Sequence, residues 1–278
     1  MNWLLIDDII LNALAEDLGH GDITTELLPN AKNPASGIFR AKEAGVLCGA
    51  EVAARCFSLY GEAEAKFTEQ DGDALSPGEE FGFITGPGCD ILSVERVALN
   101  FLQRLSGIAS AARRMAELAG DSGIRVVETR KTTPGLRTLE KYAVRTGGGF
   151  NHRMDLDHCV MLKDNHFALA GGDPAAVVRT LKLSVSHSMK VIAEATTPEM
   201  AVALAGAGAD VVLLDNFAPA TVRSTVELLN GRCMIEVSGG IHEGNLADYL
   251  IPGVDVISLG ALTHSYRSLD ISLDFKVD

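Results

Sequence analysis

The stretch that decides the fold is residues 190–215, which read KVIAEATTPEMAVALAGAGADVVLLD. Both ends are short apolar runs, which are typical of strands buried on the two faces of a parallel sheet. Between them Thr197 precedes Pro198, the combination of a capping side chain and a proline that begins many helices, and an alanine-rich segment follows. The order strand, helix, strand predicts a parallel α/β unit.

The same pattern extends through the C-terminal part of the chain. Six apolar, partly β-branched runs are predicted to be strands, at residues 124–129, 159–163, 190–195, 210–215, 234–238 and 255–259. Helical stretches separate most of them, and Asp173-Pro174 is a second helix start of the same kind. This regular alternation favours an α/β barrel over an open doubly wound sheet.

The first hundred residues have a different texture. Alternating residues at 36–47 and 81–85 predict short antiparallel strands with helices beside them, and apolar spacing over residues 94–118 predicts one long helix or two in succession. The apolar start, residues 1–14, lacks a basic segment and contains Asp7 and Asp8, so it predicts an amphipathic helix and not a signal peptide.

The composition excludes several functional classes. The chain has 278 residues, 47% of them hydrophobic, and a formal net charge of -13, which argues against non-specific binding to nucleic acid. No window reaches the roughly 18 uninterrupted apolar residues of a membrane span. The five cysteines form no Cys-x-x-Cys pair, which indicates reduced thiols, a cytoplasmic location and no zinc site.

Polar residues and glycines follow each predicted strand at its carboxyl end, where parallel α/β folds bind their ligands. They are Thr129-Arg130-Lys131, Lys163-Asp164-Asn165-His166, Glu194, Asp215-Asn216, Ser238-Gly239-Gly240 and Gly260. Residues 96–163 carry 12 Lys and Arg against 6 Asp and Glu, although the chain as a whole is acidic. This asymmetry predicts a positive cleft for an anionic small molecule.

The glycines and the carboxylates predict two further functions at this edge. Gly239, Gly240 and Gly260 allow backbone N–H groups to approach a ligand closely, as a phosphate site requires. Glu194 and Asp215 are candidates for binding Mg²⁺ or ribose hydroxyls. The histidines lack the spacing of a transition-metal site, and no P-loop, Gly-x-Ser-x-Gly elbow or Gly-x-Gly-x-x-Gly fingerprint occurs.

Several motifs in order resemble the quinolinate phosphoribosyltransferase family, over nearly the whole chain. They are residues 16–25 (EDLGHGDITT), 129–137 (TRKTTPGLR), 141–144 (KYAV), 147–153 (GGGFNHR), 162–166 (LKDNH), 213–216 (LLDN), 238–241 (SGGI) and 260–265 (GALTHS). The resemblance implies an N-terminal α/β sandwich of residues 1–99, joined by residues 266–278, and an α/β barrel of fewer than eight parallel strands over residues 100–265. It also implies a homodimer with shared active sites, with a hexamer as the alternative assembly, in which Arg96 serves the partner's site.

The family's reaction transfers a phosphoribosyl group from phosphoribosyl pyrophosphate to quinolinate with decarboxylation, giving nicotinate mononucleotide, CO₂ and pyrophosphate for NAD biosynthesis. The resemblance implies that Lys131, Glu194 and Asp215 are catalytic, with Mg²⁺ held by the two carboxylates directly or indirectly. The substrate-binding set that it implies is Arg96, Thr129, Arg130, Lys131, His152, Arg153, Lys163, Glu194, Asp215, Ser238, Gly239, Gly240, Leu259, Gly260 and Ala261.

One position departs from the family pattern. The family often has Glu-x-Glu on the strand before Leu-Leu-Asp-Asn, whereas this chain has Ile192-Ala193-Glu194. A paralogous family associated with molybdenum transport is therefore a second hypothesis, although it usually diverges in the Lys-Asp-Asn-His segment, which is intact here. The residues are also compatible with a nicotinate-using relative, with a barrel lyase that uses Lys131 or Lys163 as a Schiff-base amine, and with a non-catalytic binder of an anionic ligand.

Overall fold

The computed structural model describes residues 1–277, with the backbone alone described at Val277. The N-terminal elements are α1 (Trp3–Leu18), α2 (Ile23–Glu26), β1 (Pro34–Ala41), β2 (Gly45–Val46), α3 (Ala50–Tyr60), β3 (Glu64–Phe67), β4 (Ala74–Leu75), β5 (Glu80–Pro87) and α4 (Gly88–Ala119). The following elements are β6 (Arg125–Val127), α5 (Arg137–Thr146), β7 (Val160–Leu162), α6 (Asp164–Ala170), α7 (Pro174–Ser184), β8 (Val191–Ala195), α8 (Pro198–Gly206), β9 (Val211–Asp215), α9 (Pro219–Leu229), β10 (Met234–Ser238), α10 (Leu246–Tyr249), β11 (Val256–Ser258), α11 (Ala261–His264) and β12 (Ile271–Val277).

These elements form two compact units. The first contains residues 1–113, 133–148 and the described residues from 265 onward, and the second contains residues 114–132 and 149–264. Helix α4 is a single continuous helix through residues 99 and 100, where the sequence-based domain limit falls. None of the helices within residues 1–277 combines the length and the apolar character needed to cross a bilayer.

The first unit is built on an antiparallel sheet with the strand order β12-β1-β5-β3. Burial in β1 alternates residue by residue, because every second side chain of a strand points to the same face. Phe39 of β1 forms a cluster with Phe67 and Phe81, whose ring centroids are 5.0 and 6.2 Å away and which also stack on each other at 6.0 Å. Helix α3 contacts α1 and β3. This helix-covered sheet is the predicted α/β sandwich.

The second unit is built on a parallel sheet with the order β6-β11-β10-β9-β8-β7. Its strands coincide to within two residues with the six predicted ones, and all five residues of β8 are buried. The helix starts are also confirmed, since the Asp173 and Thr197 side chains accept hydrogen bonds from the N–H groups of Ala175 and Met200. The sheet fits the predicted barrel of fewer than eight strands.

An apolar layer lies beneath the carboxyl ends of these strands. It contains Ile192, Val211 and Leu213, with Cys159, Met161 and Met234 packed against them. Met161, Ile192 and Leu213 stand two residues before Lys163, Glu194 and Asp215, the polar residues at or near the ends of the same strands. Each therefore occupies the same face of its strand one step deeper. The position where the family often has a first Glu therefore belongs to the apolar packing layer in this chain.

Candidate active site

The carboxyl ends of the parallel strands surround a cavity of about 800 Å³ in the second unit. Its walls contain most of the residues predicted from sequence, including cations, two carboxylates and the glycine loops. From the predicted set the structure brings together Thr129, Arg130, Lys131, His152, Arg153, Lys163, Glu194, Asp215, Ser238, Gly239, Gly240, Gly260 and Ala261.

Two predicted residues are not among the lining residues of this cavity. Arg96 is exposed on α4, in the first unit. Leu259 is 2% exposed, and its N–H donates to the carbonyl oxygen of Val127 at 2.8 Å. Leu259 thus joins the end of β11 to the end of β6 through its backbone.

The segment after β6 carries the first cations. The N–H of Lys131 donates to Oγ1 of Thr129 at 3.1 Å, and the hydroxyl of Thr263 donates to the carbonyl oxygen of Lys131 at 2.8 Å. These bonds fix the backbone of Lys131 while its side chain stays exposed. Nε of Arg130 is buried without a hydrogen-bond partner within residues 1–277. A buried guanidinium N–H in a cavity wall is a ready donor for a carboxylate or a phosphate.

His152 is positioned by a buried carboxylate that the sequence analysis missed, and Arg153 by a backbone carbonyl group. Glu128 has no exposed surface and accepts hydrogen bonds from the N–H of His152 at 3.0 Å and from Nδ2 of Asn151 at 2.9 Å. The guanidinium of Arg153 donates to the carbonyl oxygen of Cys159 at 3.1 Å. The backbone of His152 and the side chain of Arg153 are therefore each held by a hydrogen bond within the second unit.

Lys163 and Glu194 form an ion pair across the ends of β7 and β8. Their Nζ and Oε2 atoms are 2.5 Å apart, with Glu194 8% exposed and Lys163 46% exposed. On the next strand, Oδ2 of Asp215 accepts a hydrogen bond from Nδ2 of Asn216 at 2.7 Å. The two candidate metal-binding carboxylates are thus both held by neighbours, and each keeps a place in the cavity wall.

Close neighbours constrain the glycines of the two loops, most strictly at Gly239. Gly239 has φ +97°, and a Cβ atom there would lie 2.7 Å from the backbone nitrogen of Asn216 and overlap its side-chain amide. A Cβ atom on Gly260 would lie 2.9 Å from Cδ of Lys131 and 3.0 Å from the His264 ring. The absence of side chains leaves the backbone open to a ligand at both strand ends.

Several lining residues were outside the predicted set, and Glu236 is the most significant for the chemistry of the site. It lies in β10, is 3% exposed, and has Nε2 of His152 3.3 Å from its Oε1. A sequence signal was available, because Glu236 precedes Ser238 by two residues and so shares its face of the strand. The other additions are Met161, Leu213, Asn216, Ile241, His242, Ser258 and His264.

Cys159, which packs against the apolar layer, is not an activated nucleophile. Burial raises the pKa of its thiol, and the nearby Glu236 carboxylate raises it further, while Arg153 opposes both effects. Reactive cysteines need the opposite shift, because the thiolate is the nucleophile. The structure therefore gives no support to covalent catalysis by this residue.

No cluster of three or more His, Cys, Asp or Glu side chains in residues 1–277 is arranged to hold a metal ion. The cavity instead combines cations, two carboxylates and glycine loops at the ligand-binding edge of a parallel barrel. Fold and cavity together define an α/β-barrel protein of the kind that binds anionic small molecules.

Comparison with known proteins identifies the family to which this chain belongs. Residues 22–106 match the N-terminal domain of quinolinate phosphoribosyl transferase, and residues 108–274 match its C-terminal domain. A protein of Methanothermobacter thermautotrophicus named probable nicotinate-nucleotide pyrophosphorylase (carboxylating) is 43% identical over 276 residues, which cover 97% of this chain and 98% of that protein. A Bacillus subtilis protein of the same name is 41% identical, covering 99% of this chain and 94% of its own length.

A solved structure agrees with these matches. The crystal structure of NadC from Streptococcus pyogenes is 39% identical and superposes with a TM-score of 0.95, covering 100% of this chain and 99% of that chain. The chain belongs to the quinolinate phosphoribosyltransferase family.

Proposed function

We propose that this protein transfers the phosphoribosyl group of phosphoribosyl pyrophosphate to quinolinate, with decarboxylation, giving nicotinate mononucleotide, CO₂ and pyrophosphate for NAD biosynthesis. The observation that carries the proposal is the cavity itself, in which Arg130, Arg153 and Lys163 face the same space as Glu194 and Asp215. Two polyanionic substrates must be held together there, and only a concentration of cations can offset their repulsion.

The quinolinate carboxylates are bound by Arg130, His152, Arg153 and Lys163. Arginine forks suit planar carboxylates because they make paired hydrogen bonds, whereas lysine acts as a point charge. The buried, unpartnered Nε of Arg130 supports this role, since a bound carboxylate supplies the missing acceptor. Thr129 lies at the same strand end and orders the backbone of this segment through its hydroxyl.

Phosphoribosyl pyrophosphate occupies the other side of the cavity. The backbone of Ser238, Gly239, Gly240, Gly260 and Ala261 receives the 5′-phosphate, and Leu259 supports this edge indirectly, since its N–H joins the end of β11 to β6. Lys131 neutralises the leaving pyrophosphate, and Glu194 and Asp215 bind the ribose hydroxyls. Gly240 supports this assignment, because it lines the cavity and the space that a side chain would occupy there is open, so a phosphate can approach the backbone of this loop.

The reaction requires positioning and electrostatic stabilisation more than covalent chemistry. The lone pair of the pyridine nitrogen forms the bond to the anomeric carbon while the bond to pyrophosphate breaks, and that electron pair leaves with pyrophosphate. The bond from C2 of the pyridine to its carboxylate then breaks, CO₂ leaves, and the pair on C2 takes a proton. The positive charge on the ring nitrogen stabilises that pair.

The site residues fit Mg²⁺ when it is bound together with substrate. Magnesium ions in phosphate-transfer sites are typically held by one or two carboxylates plus substrate phosphate oxygens, and the donors here are the carboxylates of Glu194 and Asp215. When bound, the ion supplies charge neutralisation at the pyrophosphate. The ion pair between Glu194 and Lys163 makes Asp215 the more accessible of the two donors.

The assembly that we propose is a homodimer in which Arg96 reaches the active site of the partner. Its position supports the proposal, because Arg96 is an exposed arginine of α4 and is not a lining residue of the cavity in its own chain's second unit. A hexamer built from three such dimers is the alternative. For location we propose the cytoplasm, supported by the cysteines, which are all free thiols.

The deciding experiment incubates purified protein with quinolinate, phosphoribosyl pyrophosphate and Mg²⁺ and follows nicotinate mononucleotide. We expect turnover with quinolinate and a rate about 10- to 100-fold lower with nicotinate, because the missing carboxylate leaves a charged donor without its partner. The Lys131→Ala variant is the matched control and should be nearly inactive. Equal use of the two acids would favour a nicotinate-using enzyme, and borohydride trapping with a carbonyl substrate would favour the lyase. Binding of phosphoribosyl pyrophosphate without turnover would favour a binder or the molybdenum-associated paralog.

A further inference from the structure

The cavity wall contains one carboxylate that the roles above leave unused. Glu236 lies at the centre of β10, paired in register with Leu213 of β9 and Val256 of β11. It is 3% exposed, and its Oε1 is buried without a hydrogen-bond partner within residues 1–277. A buried carboxylate oxygen without a donor is costly, and it is more so in a cavity that binds anions.

The nearest opposite group is the ring of His152. Nε2 of His152 lies 3.3 Å from Oε1 of Glu236, and the two side chains are 11% and 4% exposed. This distance allows a hydrogen bond but the alignment does not, so a modest rotation of the ring would direct the Nε2 proton either to Glu236 or into the cavity. Glu236 therefore stands where it can set the orientation of the His152 ring.

The protonation pattern of the ring follows from its other nitrogen. Nδ1 of His152 accepts a hydrogen bond from the N–H of Arg153 at 2.6 Å. An accepting nitrogen carries no proton, so the neutral ring has its proton on Nε2, the atom that faces Glu236. The backbone beneath the ring is fixed as well, because Glu128 accepts the N–H of His152.

We propose that Glu236 is a positioning residue that keeps the Nε2–H of His152 at the cavity wall, where it donates to a carboxylate of the bound substrate. A ring that presented an unprotonated nitrogen would repel the same carboxylate. The identity of that substrate rests on the function proposed above, whereas the effect of Glu236 on the ring does not. This role explains why a carboxylate is kept in an anion-binding cavity in spite of the repulsion it adds.

The test compares Glu236→Gln with Glu236→Met. The two replacements have similar length and no charge, so the repulsion is removed equally from both, but only glutamine keeps an oxygen that accepts the Nε2 proton. We expect the KM for quinolinate to be about 10- to 100-fold higher in Glu236→Met than in Glu236→Gln, the range expected for losing one hydrogen bond to a charged group. The KM for phosphoribosyl pyrophosphate should be the same in both variants, and kcat should differ much less than the KM for quinolinate.

A second measurement needs no substrate. Proteins labelled with ¹⁵N-histidine report by NMR which ring nitrogen carries the proton, and His152→Asn identifies the signal. All three proteins should keep the His152 proton on Nε2, because the N–H of Arg153 still occupies Nδ1. Wild type and Glu236→Gln should show a single narrow Nε2 signal at a similar chemical shift, whereas in Glu236→Met this signal should be displaced or broadened because the ring is no longer held. Asp255→Asn is the structural control. The Asp255 carboxylate accepts the N–H of Ile235, the residue before Glu236 on β10, at 2.8 Å, but Asp255 is not a lining residue of the cavity. It should leave the His152 signal unchanged.

Two results would overturn the proposal. One is a quinolinate KM in Glu236→Met equal to that in Glu236→Gln, and the other is a His152 signal in Glu236→Met equal to that of wild type. A failure of the proposed function looks different, because wild type would then make no nicotinate mononucleotide while the NMR comparison would still decide the role of Glu236.

Discussion

The ion pair between Lys163 and Glu194 gives a quantitative test of how this cavity is held together. Replacing Lys163 with Met leaves the Glu194 carboxylate, which is 8% exposed, without its partner at 2.5 Å. An unpaired buried group costs about 1–3 kcal/mol, and the lower part of that range applies because Lys163 is 46% exposed and solvent already screens the pair. A loss of about 1–2 kcal/mol corresponds to a Tm lower by roughly 2–8 °C for a chain of this size.

The assay is a double-variant cycle measured by thermal and urea unfolding without ligands. Glu194→Gln alone should cost less than Lys163→Met, because the remaining lysine can turn to solvent. Lys163→Met combined with Glu194→Gln should recover most of the loss, since neither charge is then left alone. The control pair is Lys182 and Asp210, which are 2.8 Å apart but both 32% exposed, so Lys182→Met should cost about 1 kcal/mol or less.

The reasoning would be refuted if Lys163→Met cost no more than Lys182→Met. It would also be refuted if the double variant were as unstable as the sum of the single variants. Either result would mean that the cavity wall keeps Glu194 well solvated and that the pair contributes nothing to stability.

Three further predictions concern the site, the assembly and the response to pH. Asp215→Asn should weaken use of phosphoribosyl pyrophosphate and alter the Mg²⁺ requirement while leaving quinolinate binding intact by calorimetry, and the opposite pattern would reverse our assignment. Arg96→Ala and Lys131→Ala should each be nearly inactive alone. When the two variants are mixed and exchange subunits, a mixed dimer has both lesions in one site and none in the other, so up to about half of its sites should be active. Confirmed exchange without recovered activity would exclude the shared site. The hydrogen bond from Arg40 lowers the pKa of Asp274. The stabilisation from this pair is therefore present above about pH 4, the usual pKa range of an aspartate, and is lost as the pH falls through the lowered pKa of Asp274. The urea midpoints of wild type and Arg40→Met should therefore differ at pH 7 and converge on acidification, and a constant difference would contradict the assignment.

The sequence predicted the parallel sheet well because buried strands and capped helices leave local signals. The apolar run of residues 211–215 and the pair Thr197-Pro198 need no knowledge of distant residues to be interpreted. The division into two compact units depends on contacts between residues far apart in the sequence. The placement of residues 133–148 with the first unit therefore has no comparable local signal.

The site was predictable where a polar residue closes an apolar run, and less so where it interrupts one. Glu128 interrupts the predicted run of residues 124–129 and directly follows β6, and Glu236 lies in the middle of β10. An isolated carboxylate near an apolar run does not by itself reveal that it faces the barrel interior. The buried Nε of Arg130 is likewise a property of packing that no sequence pattern specifies. Ile192 is visible in the sequence as a departure from the family pattern, but its place in the apolar layer required the register of neighbouring strands.

The glycine at position 239 links two parts of the cavity wall to which we assign different portions of the substrate. Asn216, which has a left-handed backbone with φ +58°, fills the space that a side chain at 239 would need, and its amide donates to the carboxylate of Asp215. The N–H of Asn216 also donates to the carbonyl oxygen of Ser238, so β9 and β10 end at a fixed offset. The orientation of the Asp215 side chain on β9 thus depends on the lack of a side chain at Gly239, which follows β10. A methyl group at 239 would therefore disturb Asp215, the carboxylate proposed to bind ribose, as well as the loop proposed to bind the phosphate. Engineering of sugar selectivity here has to treat residues 215, 216 and 239 as one unit.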